Sequence, residues 1–316
     1  MFEQIISEIN KYNNVIIFPH TNMDGDSVGS AKALALALKK IGKNVVVLGD
    51  EAVPEYVGFL DHEVFATVLP CGFENSLAFA VDCSDNTRIE NRMDVWNNCK
   101  SHVCIDHHPG ENNFAEVIVR DPKASAAAML VFDFIKELNV SIDKEIAEAL
   151  YTAILTDTGN FKYSSAGAST LRAVADLYEY GVDHVRICNL VYDNKPLKQV
   201  QIETSAINNA EFLANGQAIV SYVRYDYWNK LEAPYSYTEN AIDSLRAIKG
   251  VEVAAILKEK EPSVFKVSLR SKNGQDVSGI ARKYGGGGHK PAAACTLNMP
   301  FEEAFELIKK EIVTVL

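Results

Sequence analysis

The chain has 316 residues, 47% of them hydrophobic and 23% charged, and a net charge of −11. At roughly 100–200 residues per domain this length predicts two domains, and the ordinary composition excludes a disordered, collagenous or disulfide-scaffold chain. So acidic a protein is a poor general binder of long nucleic acid, which rewards broad basic surfaces. The six cysteines lie far apart with no CxxC pair, which fits a reduced, cytoplasmic setting. The opening MFEQIISEINKYNN is amphipathic and acidic, unlike a signal peptide. Ala33 to Leu38, the longest apolar run in the first third, is far too short for a membrane span.

Phe2, Ile5, Ile6 and Ile9 have helical spacing, so a helix is predicted over 2–12. Asn14 to Phe18 reads as a buried strand, 19–26 as a polar loop, 27–41 as an Ala- and Leu-rich helix, and Asn44 to Leu48 as the next strand. Further strands are predicted at Leu77 to Val81 and His102 to Ile105, followed by helices over 124–139, 143–157 and 167–180. Apolar strands alternating with helices imply a parallel sheet covered on both faces. Residues 191–207 are polar and read as a helical connector between a domain over 1–190 and a smaller α/β domain over 208–316. In the latter, strands are expected at 217–223, 251–258 and 264–270, and helices at 238–248, 276–284 and 301–314.

Ligands of such sheets sit beyond the carboxyl ends of the strands, and that is where this chain concentrates its chemistry. HTNMDGDSVGS follows the first strand with His20, Asp24 and Asp26, and Gly25 is expected to turn the backbone between the acids. A twelfth-position Glu is missing (Ala35 stands there), which excludes an EF-hand, and the absence of GxxxxGK[ST] excludes a P-loop. Asp82 ends LAFAV, Asp106, His107 and His108 end HVCI, and Asp157 closes a helix at TDTGNF, where an acid opposes the helix dipole. Four carboxylates, Asp24, Asp26, Asp82 and Asp157, can gather at one sheet edge only if neutralised, and two divalent cations are the natural means. Carboxylate with imidazole suits Mn²⁺ and also admits Mg²⁺, Co²⁺ or Zn²⁺. No thiolate is called for, which argues against structural zinc. Such a pair of ions is the usual machinery of phosphate-ester cleavage. A second concentration of charge lies at 266–290, where six basic residues and one acid give a net of five positive charges. Gly285 to Gly288 precede His289 there, and small residues of this kind let backbone N–H groups approach a phosphate.

In these motifs, HTNMDGDSVGS, AVDCSD, IDHH and TDTGNF, taken in order, the chain resembles the DHH phosphoesterases. VSLRSK, DVSGIA and GGGGH resemble the substrate domain associated with that family, so the likeness covers nearly the whole chain. Length and domain content are most similar to the small NrnA-type members. The resemblance implies a first metal on His20, Asp24 and Asp82, and a second on Asp26, Asp82, His107 and Asp157, with Asp82 bridging. It places His108 at the scissile phosphate, with Asp106 holding the histidines. Arg270, Lys272, Gly287, Gly288 and His289 become substrate contacts, and the active site is expected in the cleft between the domains. Met23 departs from the family, which often has proline there, and changes loop stiffness alone.

The implied activity is manganese-dependent hydrolysis of short oligoribonucleotides to nucleoside 5′-monophosphates, and of 3′-phosphoadenosine 5′-phosphate (pAp) to AMP. The linear dinucleotide pApA, or pyrophosphate and polyphosphate, are the alternative substrates. Long duplex nucleic acid and membranes are not expected partners, and a homodimer is compatible with the resemblance. Ser125 and the aromatic group Tyr222, Tyr225, Tyr227 and Trp228 are weaker candidates; the latter reads as a strand packing into core.

Overall fold

The apolar runs of the first two-fifths of the chain become parallel strands: β1 (Asn14–Phe18), β2 (Asn44–Leu48), β3 (Phe65–Ala66), β4 (Leu77–Val81), β5 (Ser101–Asp106) and β6 (Val117–Arg120). The computed structural model describes residues 1–110 and 113–316, which divide into the units Met1–Asn194 and Lys195–Leu316.

In the first unit the strand order is β3-β2-β1-β4-β5-β6. This is a doubly wound sheet, whose winding reverses between β1 and β4. Side chains alternate between the faces. Val15 and Ile17 enter one core with helices α1 (Glu3–Lys11), α2 (Gly25–Lys40), α4 (Ala127–Glu137) and α5 (Lys144–Asp157). Ile16 and Phe18 enter the other, with Trp96 of α3 (Met93–Asn98). Cys83 lies in this second core, as a small hydrophobe whose thiol burial pushes well above its ordinary pKa. Helices α6 (Ala168–Glu179) and α7 (His184–Tyr192) complete the unit. The short strands β3 and β6 and helix α3 were not apparent in the sequence; two to six residues are too few to carry a periodicity.

Helices α2 and α5 meet closely. A Cβ on Gly25 would stand 2.3 Å from Thr156 Oγ1, and one on Gly29 would stand 2.4 Å from the Ala149 carbonyl oxygen. Gly25 is therefore not needed for a turn. It is the first residue of α2, and what it provides is room for α5.

The second unit carries a mixed sheet in the order β11-β12-β10-β9-β8-β7. Its strands are β7 (Glu211–Leu213), β8 (Ala218–Val223), β9 (Val253–Glu261), β10 (Val264–Ser271), β11 (Gly287–His289) and β12 (Ala292–Asn298). One face packs on α11 (Ser278–Lys283) and α12 (Phe301–Val313), the other on α8 (Leu197–Asn208) and α10 (Ala241–Arg246). The stretch expected as a connector is thus divided. Its first part ends α7, and its second is α8, whose Ile202 and Ala206 enter the core of the second unit. The aromatic group is not one strand: β8 stops at Val223 and α9 (Tyr225–Lys230) follows. Tyr222 packs on Phe301 and Phe305, and the Trp228 indole donates to the Glu259 carbonyl at 2.9 Å. Among the described residues no helix is long and apolar enough to cross a membrane.

Gly29→Ala forces a methyl group against the Ala149 carbonyl. It is expected to cost about 1–3 kcal/mol through overpacking, outweighing roughly 1 kcal/mol of helix propensity gained. A denaturant midpoint equal to wild type would show that the helices part freely.

Candidate metal centre

Each acid and imidazole of the first unit is delivered by the end of an element. Asp24 caps α2, its carboxylate accepting from Ser27 N–H at 3.0 Å. Asp26, in the first turn, is 1% exposed. Its Oδ2 accepts from Ala127 N–H at 2.6 Å, and its Oδ1 from Ala128 N–H at 3.1 Å and Ser30 Oγ at 2.9 Å. The N-terminus of α4 thus fixes this carboxylate. Asp82 follows β4 with φ +58°, a left-handed conformation uncommon outside glycine, though aspartate, asparagine and histidine adopt it more readily than other residues. Asp106 is the last residue of β5, and Asp157 the last of α5.

These groups converge where the sheet changes winding direction. His20 Nε2 lies 3.5 Å from Asp24 Oδ1 and 3.5 Å from Asp82 Oδ2. His107 Nε2 lies 3.7 Å from Asp26 Oδ2, 3.6 Å from Asp82 Oδ1 and 3.6 Å from Asp157 Oδ2. The six residues chosen as candidate ligands from the sequence therefore form two groups, and Asp82 turns one oxygen to each. These separations exceed normal hydrogen bonds, and match neighbouring ligands about 2 Å from a shared ion. Among the described residues, His20 Nε2 and Asp82 Oδ1 are buried without a hydrogen-bond partner. Unpartnered buried polar atoms are costly, and a cation would satisfy both. The imidazoles are already oriented for it. His20 Nδ1 lies 2.8 Å from the Thr21 carbonyl and His107 Nδ1 3.2 Å from that of Ala124. With Nδ1–H donating, Nε2 is the free lone pair. The residues present fit two divalent cations.

His108 stands beside both groups. Its Nδ1 donates to Asp106 Oδ1 at 2.9 Å. Asp106 is fully buried, and its Oδ2 accepts from Arg120 Nε at 3.1 Å. Of the two histidines Asp106 holds only His108; the Ala124 carbonyl holds His107.

In the second unit, Arg270 and His289 both stand opposite Ala292, on β10 and β11 respectively. They therefore share one face, two strand spacings or about 10 Å apart. Phe265, Val267 and Leu269 point to the opposite face and its core. The glycines divide by task. Gly286 and Gly288 lie against the backbone of β12, where a Cβ would come within 2.2 and 2.5 Å of a carbonyl oxygen, whereas Gly287 has open space above it. Gly287, Gly288 and His289 form the edge strand β11, which Gly285 and Gly286 precede. Lys272 is committed elsewhere, its ammonium donating to the Ile248 carbonyl at 2.9 Å. Ser125 is buried and accepts from the Thr170 hydroxyl at 2.9 Å, a structural role.

Residues 14–154 match the family model for the DHH family N-terminal domain, and residues 215–316 that for the DHHA1 domain. A protein of Thermus thermophilus named bifunctional oligoribonuclease and PAP phosphatase NrnA is 30% identical, over 94% of this chain and 90% of its own length. The chain belongs to the DHH family of phosphoesterases. A Bacillus subtilis protein of the same name is 26% identical over 94% of this chain and 93% of its own. The crystal structure of an exopolyphosphatase-related protein from Bacteroides fragilis superposes with a TM-score of 0.91 at 22% identity, covering 99% of this chain and 95% of that one. That likeness concerns the fold.

DHH phosphoesterases use divalent metals, and the electrostatics of this member show why. Burial raises Asp82 well above the usual carboxylate range, and the charges of Asp26, Asp24 and Asp157 add to it. Burial, then Asp26, raises Asp157 to about 7. Burial likewise raises Asp26, against the attraction of His107. Burial works to lower His107, yet Asp26 and Asp157 carry it above its ordinary value. Cations in the centre would reverse this logic and hold the carboxylates ionised.

Sequence reasoning did not single out Arg120. Besides Asp106, it donates to the carbonyls of Gly110 at 2.7 Å and Ser84 at 3.0 Å, tying two ligand-bearing loops together. The one signal was a lone arginine ending the run VIVR. The N–H groups of Ala127 and Ala128 had no signal at all, because backbone donors carry no side-chain signature.

A carboxyl whose pKa is higher folded than unfolded stabilises the fold below its unfolded value and withdraws that stability as pH rises through the folded one. Metal-free protein is therefore expected to lose stability between about pH 4 and 7, the range set by Asp157. Thermal unfolding in chelator across that range checks this. Asp82→Asn should flatten the loss and abolish tight metal binding.

Proposed function

We propose that this DHH phosphoesterase hydrolyses short oligoribonucleotides to nucleoside 5′-monophosphates and dephosphorylates pAp to AMP, with two Mn²⁺ ions. The observation that carries the reading is Asp82, whose two oxygens face two separate ligand groups. The names of the relatives support the substrate class. The mixed carboxylate and imidazole donors are compatible with manganese. Two such ions, when bound, offset phosphate charge and acidify water.

The chain's own residues supply the rest. His20, Asp24 and Asp82 hold one ion, and Asp26, Asp82, His107 and Asp157 the other. His108, with Nδ1 fixed on Asp106, offers Nε2 to a phosphate oxygen, where charge grows as the ester bond breaks. In the second unit, Arg270 and His289 offer cation and imidazole from one sheet face, with Gly287 and Gly288, beside His289 on β11, as the backbone contacts. Lys272 joins them only on release from Ile248. This patch lies within the basic segment of an acidic chain, which suits a fragment with few phosphates better than a long strand. All six cysteines are free in the structure, in keeping with the cytoplasm as the place of action.

Product analysis in Mn²⁺ tests the reading, with a dinucleotide, a five-unit RNA, a long RNA, pAp, pApA and pyrophosphate as parallel substrates. Mononucleotides from the short RNAs and AMP from pAp, with the long RNA spared, are expected. Cleavage of pyrophosphate alone would overturn it. His108→Ala should lower kcat about 10²–10³-fold. Arg270→Ala should act mainly on KM, by roughly 10–100-fold for a lost charged hydrogen bond.

A further inference from the structure

The two ligand groups are braced from different parts of the fold. The group around His107 leans on the turn before α4, through the Ala124 carbonyl, and on the start of α4, through the N–H groups of Ala127 and Ala128. The group around His20 has another brace, in which Thr21 of the first motif is held by Asp50, Arg88 and Arg92 from outside the metal motifs. Thr21, whose carbonyl faces His20 Nδ1, donates its hydroxyl to Asp50 Oδ2 at 2.6 Å. Asp50 follows β2, and its Oδ1 pairs with Arg92 Nε at 2.5 Å. Arg92 is 6% exposed and spends its remaining nitrogens on backbone: Nη2 donates to the Pro19 carbonyl at 2.9 Å, and Nη1 to that of Leu48. Thr21 N–H donates to the Arg88 carbonyl at 2.7 Å.

His20 is therefore clamped on both sides, at Pro19 and at Thr21, by the segment that continues from Asp82. That segment carries Arg88 and Arg92, and Asp50 closes the circuit. We propose that Asp50, Arg92 and the Thr21 hydroxyl are positioning residues for one metal alone, fixing His20 Nε2 against Asp82 Oδ2 while leaving the ion beside His107 untouched. A buried arginine engaged with one carboxylate and two carbonyls has no freedom to follow a displaced loop. Loss of the Thr21–Asp50 bond lets the Thr21 carbonyl rotate, and with it the imidazole that depends on it.

The proposal rests on the two-metal reading, and the test separates the two. Mn²⁺ is titrated calorimetrically into the metal-free full chain for wild type, Thr21→Val, Thr21→Ser and Asp50→Asn, with thermal unfolding of each metal-free variant recorded alongside. Wild type should show two binding events; fewer would remove the two-metal reading itself. Thr21→Val should weaken one event about 10–100-fold, the usual effect of losing an outer-shell partner, and leave the other at its wild-type value. Thr21→Ser keeps the hydroxyl and should restore the affinity. Asp50→Asn keeps an acceptor but loses the charge facing Arg92, and should weaken the same event. Two unchanged events in Thr21→Val, or two equally weakened ones at an unchanged unfolding temperature, would overturn the proposal. Thr21 is only partly buried and its hydroxyl is small, so this variant folds even where Asp50→Asn does not.

Discussion

The centre depends first on how closely α2 approaches α5. Asp24 and Asp26 ride on the start of one helix and Asp157 on the end of the other, so the gap between helices sets the gap between carboxylates. Gly25 against Thr156, and Gly29 against Ala149 and Ala153, bring the backbones together where any side chain would hold them apart. Everything else in the first unit is arranged around that contact. The sheet delivers His20 from β1, Asp82 from β4 and the histidine pair from β5 to the same edge, and α4 places its first N–H groups on Asp26.

That arrangement is electrostatically expensive without metal. Four carboxylates lie together, three of them pushed up in pKa, Asp82 sits in a left-handed conformation, and two buried ligand atoms have no hydrogen-bond partner. Strain and unsatisfied polarity of this kind persist only where surrounding structure over-determines them. Here the over-determination is visible. Arg120 ties the loops after β4 and β5, Arg92 with Asp50 ties the loops after β1, β2 and β4, and the α4 N-terminus holds Asp26. Two arginines, each engaged with one carboxylate and backbone carbonyls, act as rigid staples. A lysine could not substitute, because it lacks the planar fork that reaches several acceptors at once.

The second unit solves a different problem. Its sheet places an arginine, a histidine and an open glycine on one face, and buries the alternate residues of the same strands in its core. The positive charge is local, within a protein that is acidic overall. On the proposed reading, this gives affinity for a few phosphates without general affinity for polyanions.

The sequence by itself determined the parallel sheet, because apolar runs separated by amphipathic helices have one stable packing. It also marked the candidate ligands, because acids and imidazoles at strand ends have little structural use. Asp50 obeyed the same strand-end pattern, with Glu51 beside it but no imidazole in its segment to mark it. The division of the candidate ligands into two groups followed from the family resemblance, but tertiary structure alone decided which oxygen of Asp82 faces which imidazole. It alone decided that Gly25 serves helix packing and not a turn, and that Gly286 and Gly288 are spent on close strand contact while Gly287 stays open. It decided too that α8 belongs to the second core, and that two arginines brace the centre. Each of these is a contact between segments distant in the chain, where local pattern has no purchase.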